Sequence, residues 1–411
     1  MRRTAISCCL LLLAPGILWA QAKEDQEARF KALEERIRAL EAEIQALKSG
    51  PAPAPAAPAV APVAAVQAPA GAPGIPAGAL PVYGGATALS KILNPDVSVI
   101  GDFLGSAGKN SVRPVPGLEM HESEVGFQAI VDPYARADFF LSFGEQGVAV
   151  EEGYLTLTSL PGGLVAKAGK MRANFGKTNT IHNHALPWTD RPMVTENLLG
   201  GEDGINDAGF SLSRILPGPK NVFLEATGEV FRGDSADVFQ SSRRSDVSAI
   251  AHFRGYRDLT ESTNLDLGYS YARGHNDLGS DFLTQLHGLD ATLRWKPLRR
   301  SIYHSFLARS EFIWSQREQS LGAQHAFGFY SSGEYRLNRR WTVGGRYDRS
   351  DRARDASLTD SGFSALLTYW PSEFSQVRGQ YRFARYAEGS DSHELRFQFL
   401  FVLGAHGAHP F

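Results

Sequence analysis

The chain has almost no cysteine: its 411 residues include only Cys8 and Cys9, and both lie in an N-terminal apolar stretch. If that stretch is removed, the remaining chain can form no disulfide, thiol nucleophile or thiolate metal site. An excess of charge of one sign is also absent, because 42 Lys and Arg residues face 44 Asp and Glu residues. A nearly neutral chain gives no reason to expect nucleic acid as a partner.

Long hydrophobic runs are absent beyond the N-terminus, where no stretch reaches the ~18 continuous apolar residues of a membrane helix. A Gly-x-Ser-x-Gly nucleophile motif is absent as well, so we expect neither an enzyme nor a cofactor. The N-terminus itself has the pattern of a secretory signal, in which Arg2 and Arg3 precede an apolar segment that ends near Ala20. We expect residues 1–22 to be cleaved during export.

Residues 23–49 carry a heptad repeat in which both core positions are apolar in the three heptads that begin at Phe30. The predicted core residues are Phe30, Leu33, Ile37, Leu40, Ile44 and Leu47. Opposite charges flank this seam in the register of parallel helices, so we expect a parallel, homo-oligomeric coiled coil. A single amphipathic helix docked on the rest of the chain is the alternative. Residues 50–94 are rich in Pro and Ala, which predicts an extended, semi-rigid linker.

Residues 95–411 consist of short segments in which apolar and polar residues alternate, and we predict sixteen strands among them. The connections alternate in length. The predicted long ones lie around 105–120, 172–206, 233–245, 274–282, 317–324 and 349–359. Short periplasmic turns and longer outer loops are typical of bacterial outer-membrane barrels. We therefore predict an all-β fold, a 16-stranded antiparallel transmembrane β-barrel whose N-terminal coil lies in the periplasm of a Gram-negative cell.

The last predicted strand shows how the two faces are assigned. Leu395, Phe397 and Phe399 alternate with Arg396 and Gln398. The apolar set would face outer-membrane lipid and the polar set would face the lumen, because side chains alternate across a strand. A soluble sandwich alternates in the same way, but it does not require aromatic residues at so many strand ends. A barrel of this size leaves an aqueous channel unless it is plugged.

The longest predicted connection, residues 172–206, has apolar anchors such as Phe175, Leu186 and Trp188. Because a long loop in a compact domain is usually functional or disordered, we expect these anchors to fold the loop into the lumen and narrow it. A cap packed over the extracellular mouth is the alternative.

Charged residues divide between this loop and the later strands. The loop carries Glu196, Glu202 and Asp203, and it also carries Asp190. The polar face of the later strands carries the arginines Arg294, Arg309, Arg346, Arg378 and Arg382. Acids opposite an arginine wall would set ion selectivity at a constriction, with a mild preference for anions. Simple pairing of these arginines with nearby acids is the alternative.

The sequence resembles Gram-negative porins, and among them the phosphate-selective O/P-type porins. The resemblance rests on the stretches "VEEGYLTLTSLPGGLVAKAGKMRANFG" and "HNHALPWTDRP" and covers residues 95–411. It implies a homotrimer that passes small solutes passively, in some cases with a coil before the barrel. It also implies that the terminal Phe411 is similar to the signal read by the barrel-assembly machinery. Phosphate-selective members line their channels with lysines and arginines, whereas acids dilute the arginines here.

Histidines raise two further functional hypotheses. His182 and His184 lie in the long loop, and His406 and His409 lie near the C-terminus. Imidazoles at these spacings could ligate zinc, which would make the chain an outer-membrane component of zinc uptake. Solvated or hydrogen-bonded histidines are the simpler interpretation. The coil suggests a second alternative, an envelope tether for which peptidoglycan is a candidate partner.

Overall fold

The computed structural model describes residues 95–145 and 147–404. The predicted signal peptide, coiled coil and linker lie outside the described residues, so they stay predictions. The same holds for the proposed assembly signal Phe411 and for His406 and His409. No helix in the described ranges is long and apolar enough to cross a membrane.

Sixteen antiparallel strands form one closed barrel in which each strand pairs with its neighbours in sequence and the last strand pairs with the first. The strands are β1 Asp96–Lys109, β2 Leu118–Asp132, β3 Ala135–Gly144, β4 Gly147–Leu160, β5 Leu164–Arg172, β6 Asn206–Leu216, β7 Val222–Phe231, β8 Ser248–Thr260, β9 Thr263–Asn276, β10 Gly279–Trp295, β11 Ser305–Arg317, β12 Gln324–Arg336, β13 Trp341–Arg352, β14 Asp355–Ser372, β15 Ser375–Arg385 and β16 Asp391–Gly404. The connection between β5 and β6 includes a short helix, α1 (Met193–Leu198), and a 3-10 turn at Asn183–Ala185. The predicted fold class is confirmed.

Burial along β16 follows the predicted alternation. The side chains of Leu395 and Phe397 are 61% and 40% exposed, whereas Glu394 and Gln398 are 2% and 1% exposed. Closure gives every strand a hydrogen-bonding partner on both sides, which is the condition for a β-structure to cross a bilayer. The outward surface is therefore apolar, and the polar side chains line the interior.

Two predicted long connections are wrong. Residues 274–282 contain only a two-residue turn at 277–278, because β9 continues to Asn276 and β10 begins at Gly279. Similarly, β13 and β14 leave only 353–354 between them, and the ladder still pairs Asp351 with Thr359. Polar residues at these strand ends do not interrupt the backbone hydrogen bonds, so polarity alone placed the loop boundaries too early.

Two β-bulges alter the side-chain alternation in the first strands. Phe140 pairs with Glu152 but Leu141 pairs with Val150, so Glu151 is an extra residue in β4. A bulge inserts one residue and changes which face the following side chains take. As a result, the consecutive residues Glu151 and Glu152 are both buried. A second bulge in β2 leaves His121 as the extra residue between Met120 and Glu122.

The seam that closes the barrel has aromatic rings packed over glycines. Gly101 pairs with Phe401, and Gly105 pairs with Phe397. A Cβ atom at Gly101 would lie 2.2 Å from the Phe401 ring, and one at Gly105 would lie 1.9 Å from the Phe397 ring. The two phenylalanine rings therefore occupy the space that larger residues on β1 would need.

We expect Gly105→Ala to weaken the β1–β16 seam, because the new methyl group must displace the Phe397 ring. Overpacking of this kind costs ~1–3 kcal/mol. The temperature at which the folded species converts to the unfolded one on SDS gels, or in detergent by circular dichroism, should fall. Gly379→Ala is the matched control, because Gly379 lies on the outward face of β15 and a Cβ there meets nothing within 4 Å. Equal unfolding temperatures for the two variants would contradict this account of the seam.

Candidate functional site: a loop held against the inner wall

The connection between β5 and β6, residues 173–205, is called the inner loop here. Its apolar side chains are almost fully buried: Phe175 and Leu199 are 0% exposed, and Trp188 is 1% exposed. They pack in one cluster with inward-facing residues of the wall, including Ile313 and Tyr330. An apolar core therefore joins the inner loop to the interior face of the barrel. The burial of these anchors argues against a loosely attached surface loop.

Asn179 ties the two ends of the inner loop together. Its side-chain amide donates to the carbonyl oxygens of Ala173 and Ile205, at 2.8 and 3.0 Å, and its Oδ1 accepts from the Ile205 N–H at 2.9 Å. The backbone of Ala173 also donates to the Ile205 carbonyl oxygen at 2.8 Å. One buried side chain thus fixes where the loop leaves β5 and where it enters β6.

Wall carboxylates accept hydrogen bonds from the backbone of the first part of the loop. Glu229 of β7 accepts from the Asn174 N–H at 2.8 Å. Glu311 of β11 accepts from the N–H groups of Lys177 and Thr178 at 2.7 and 2.6 Å, and from the Thr178 hydroxyl at 2.9 Å. Because buried backbone donors in irregular segments need acceptors, these carboxylates stabilise a path that has no regular secondary structure.

The opposite side of the loop is held by an aspartate between two arginines. The Arg346 guanidinium donates to Asp190 Oδ2 at 2.9 Å, and Arg382 Nε lies 3.2 Å from the same oxygen. Arg346 also stacks on the Trp188 ring, with 4.8 Å to the centroid. Burial by itself would raise the pKa of Asp190, but the attraction of Arg346 and Arg382 outweighs it and holds this pKa below the ordinary range of aspartate.

The predicted pore arginines divide into two groups. Arg346, Arg378 and Arg382 are at most 4% exposed and contact the inner loop; Arg378, for example, donates to the Leu186 carbonyl oxygen at 2.9 Å. Arg294 is exposed, and the inward-facing Arg309 is partly exposed and paired with Glu334 at 2.7 Å. These last two lie towards the β10–β11 connection, residues 296–304.

The predicted loop acids do not act as one group. Glu196, in α1, pairs with Arg113 of the β1–β2 loop. Glu202 and Asp203 lie at the exposed end of the inner loop, where Glu202 Oε1 is 3.9 Å from His121 Nε2. Asp190 is the loop acid that reaches the arginine wall. Loop acids and wall arginines therefore meet in direct ion pairs rather than across open space.

His182 and His184 meet a set of glutamates on β2 and β4. His182 Nδ1 lies 2.5 Å from Glu124 Oε2, and its Nε2 lies 2.7 Å from Glu152 Oε2. Burial would lower the pKa of His182, but the hydrogen bonds to the two carboxylates raise it to about 10. For His184, burial has the larger effect and lowers the pKa. The two histidines thus lie in one buried, acidic environment, but their pKa values shift in opposite directions.

The sequence analysis singled out the two histidines but missed the glutamates that surround them. One available signal was the spacing of Glu122 and Glu124, two carboxylates on the same face of a predicted strand. Glu151 gave no such signal, because it reaches the interior only through the bulge in β4. The alternation rule would have placed either Glu151 or Glu152 in lipid.

No family model matches the sequence. An uncharacterised protein of Aquifex aeolicus (strain VF5) is 27% identical over 336 residues, which cover 72% of this chain and 70% of that protein. An anion-selective porin from Comamonas acidovorans has a similar structure, with a TM-score of 0.53, 10% identity, and coverage of 75% of this chain and 99% of that one.

Two further solved structures are similar. The outer membrane channel DcaP of Acinetobacter baumannii has a TM-score of 0.51 and 12% identity, covering 75% of this chain and 96% of that one. A trimer form of OmpT of Vibrio cholerae has a TM-score of 0.50 and 8% identity, covering 75% of this chain and 100% of that one. The described chain therefore has the transmembrane barrel fold of outer-membrane porins.

We expect Asp190→Asn to weaken the attachment of the inner loop, because Arg346 and Arg382 would lose the loop carboxylate that they share and would keep only their wall partners Asp348 and Glu394. Breaking a buried pair from one side typically costs ~3–5 kcal/mol. Limited proteolysis with trypsin in detergent should cut the loop faster in this variant, after Lys177. The matched control is Glu202→Gln, a loop acid whose side chain is 66% exposed. Equal cleavage rates for the two variants would contradict the anchoring role.

The ion pairs of Asp190 also predict that the attachment of the inner loop weakens at low pH. The pKa of Asp190 in the folded protein is depressed. Its contribution to the stability of the loop attachment is therefore fully present above the unfolded value of ~3.9 and is lost as the pH falls further. Loop cleavage by an acid protease should therefore rise below about pH 4 in the wild type. In the Asp190→Asn variant, the increase in the rate of loop cleavage at low pH should be smaller. An identical pH profile for both proteins would show that other carboxylates control this transition.

Proposed function

We propose that the protein is an outer-membrane porin that lets small hydrophilic solutes or ions diffuse passively through a lumen narrowed by the inner loop. The observation that carries the proposal is the attachment of this loop to inward-facing residues of several strands of one closed barrel, from Glu229 of β7 and Glu311 of β11 to Arg346 of β13. A loop fixed in this way reduces the free cross-section without closing the barrel ends. Size exclusion needs no cofactor and no energy input.

Charge pairs on the inner wall support a wet, weakly selective passage. Arg254 lies 2.7 Å from Asp266 and 3.6 Å from Glu225, and the side chains of Arg254 and Glu225 are 34% and 30% exposed. Arg309 and Glu334 form a second partly exposed pair. Because acids accompany these basic residues, strong phosphate selectivity has little support. Arg294 and Arg309 are the predicted arginines that solvent can reach, and they favour a mild preference for anions.

We further propose a homotrimer in the outer membrane of a Gram-negative bacterium, with the predicted coil in the periplasm. The trimer form of the Vibrio cholerae structure supports this arrangement, as does the heptad pattern of residues 23–49. Kinship with O/P-type porins rests on the sequence resemblance. The barrel itself requires lipid around its apolar face.

Purified, folded protein should give stepwise conductance increases in a planar lipid bilayer. Failure of heat-modifiable, correctly folded protein to form such steps would contradict the channel proposal. Liposome swelling with sugars, phosphate and amino acids would then rank the solutes by size and charge. Faster swelling with the Asp190→Asn variant than with the wild type is expected, because the loop that narrows the lumen would be less firmly held.

Neutralising the accessible arginines should change ion preference. We expect the double variant Arg294→Gln/Arg309→Gln to move the reversal potential in a salt gradient toward cation preference, because positive charge is removed from the wall. Arg257→Gln is the matched control. This arginine of β8 is exposed at the same end of the barrel, but it alternates in step with Phe253 and therefore faces outward. An unchanged reversal potential in the double variant would show that these arginines do not act on permeating ions.

A further inference from the structure

A buried group of carboxylates and imidazoles lies where the inner loop meets the wall. This Glu–His cluster consists of Glu122 and Glu124 from β2, Glu151 from the bulge of β4, and His182 and His184 from the inner loop. All five are at most 8% exposed, and His182 is 0% exposed. Passive diffusion through a porin does not require these five side chains to lie together in one buried environment.

His182 Nδ1 already contacts Glu124 at hydrogen-bond distance, but the other histidine–carboxylate separations within the cluster suit shared ligation better than hydrogen bonding. His184 Nδ1 lies 3.7 Å from Glu122 Oε2 and 3.7 Å from Glu124 Oε2, and His182 Nδ1 lies 3.6 Å from Glu151 Oε2. These separations are too long for hydrogen bonds. Two ligands that each bind a tetrahedral ion at ~2.1 Å are themselves ~3.4 Å apart. Small side-chain movements would therefore place these atoms around one ion.

The carboxylates are also incompletely satisfied. Among the described residues, Glu122 Oε2, Glu124 Oε1 and Glu151 Oε2 have no hydrogen-bond donor. Glu152 adds a fourth carboxylate; Arg172 contacts Glu151, and His182 lies between Glu124 and Glu152. Buried carboxylate oxygens that accept no hydrogen bond are unfavourable unless a cation binds.

We propose that the Glu–His cluster binds one divalent transition-metal ion of the zinc class, with Glu124, His182 and His184 as ligands and Glu122 or Glu151 completing the site. Imidazole nitrogens together with carboxylate oxygens are donors that Zn²⁺ accepts readily. Because the ligands come from β2, β4 and the inner loop, the ion would cross-link the loop to the wall at a place separate from the Asp190 contacts with β13 and β15. The burial of the ligands makes this a resident structural ion rather than a permeating one.

Zinc content and affinity of the full-length protein in detergent test the proposal. After treatment with EDTA and exposure to Zn²⁺, the wild type should retain close to one zinc per chain by mass spectrometry. Titration against a chromophoric chelator should show that Glu124→Gln and His184→Ala each weaken binding at least ~10-fold. Anomalous diffraction at the zinc edge of wild-type crystals locates the ion without any variant. Heat-modifiable migration on SDS gels confirms that each variant is folded.

Two controls separate this site from other histidines. His252→Gln changes an inward-facing histidine of β8 that bonds Ser270 at 2.8 Å outside the cluster, and it should leave zinc affinity unchanged. The double variant His406→Ala/His409→Ala should also bind normally. The proposal is overturned if the wild type retains no zinc, or if binding survives His184→Ala but is lost in the His406/His409 variant. Either result leaves the channel proposal untouched, because conductance is measured separately.

Discussion

The requirement that every strand find a hydrogen-bonding partner on both sides determines the rest of this structure. A sheet that crosses a bilayer cannot leave an edge exposed to lipid, so β1 must pair with β16 and the sheet must close. Closure of sixteen strands gives an interior too wide for side chains alone to fill. The inner loop partly fills this space, and its position depends on what the wall offers it.

An irregular segment inside a barrel has many backbone groups to satisfy, and here wall side chains satisfy them. Glu229 and Glu311 accept backbone N–H groups, while Arg346 and Arg378 donate to backbone carbonyl oxygens of the loop. Charged residues that resemble a selectivity filter in sequence therefore serve first as attachment points. Charge that remains accessible to water lies elsewhere on the wall, in pairs such as Arg309 with Glu334. The outcome is a loop that is firmly attached to the inner wall.

The bulges in β2 and β4 show how a local irregularity can create a site. Each adds one residue that is skipped in the pairing with the neighbouring strand: Glu151 is itself a member of the Glu–His cluster, and His121 directly precedes its member Glu122. Without the β4 bulge, the consecutive Glu151 and Glu152 would point to opposite faces, and one carboxylate would enter lipid at a high free-energy cost. The bulge turns both carboxylates inward, where Arg172 and His182 contact them.

Much of the fold was predictable from the sequence, because a lipid-facing surface and a wet interior impose an alternation that can be read along residues such as Leu395 to Leu403. The number of strands, their order and the presence of one unusually long loop follow from that alternation. Strand ends were less predictable, because polar residues near 353 remain hydrogen-bonded within the ladder. The wall residues that the inner loop contacts were not predictable at all. Pairs such as Asp190 with Arg346 are 156 residues apart, and only closure of the barrel brings such side chains together.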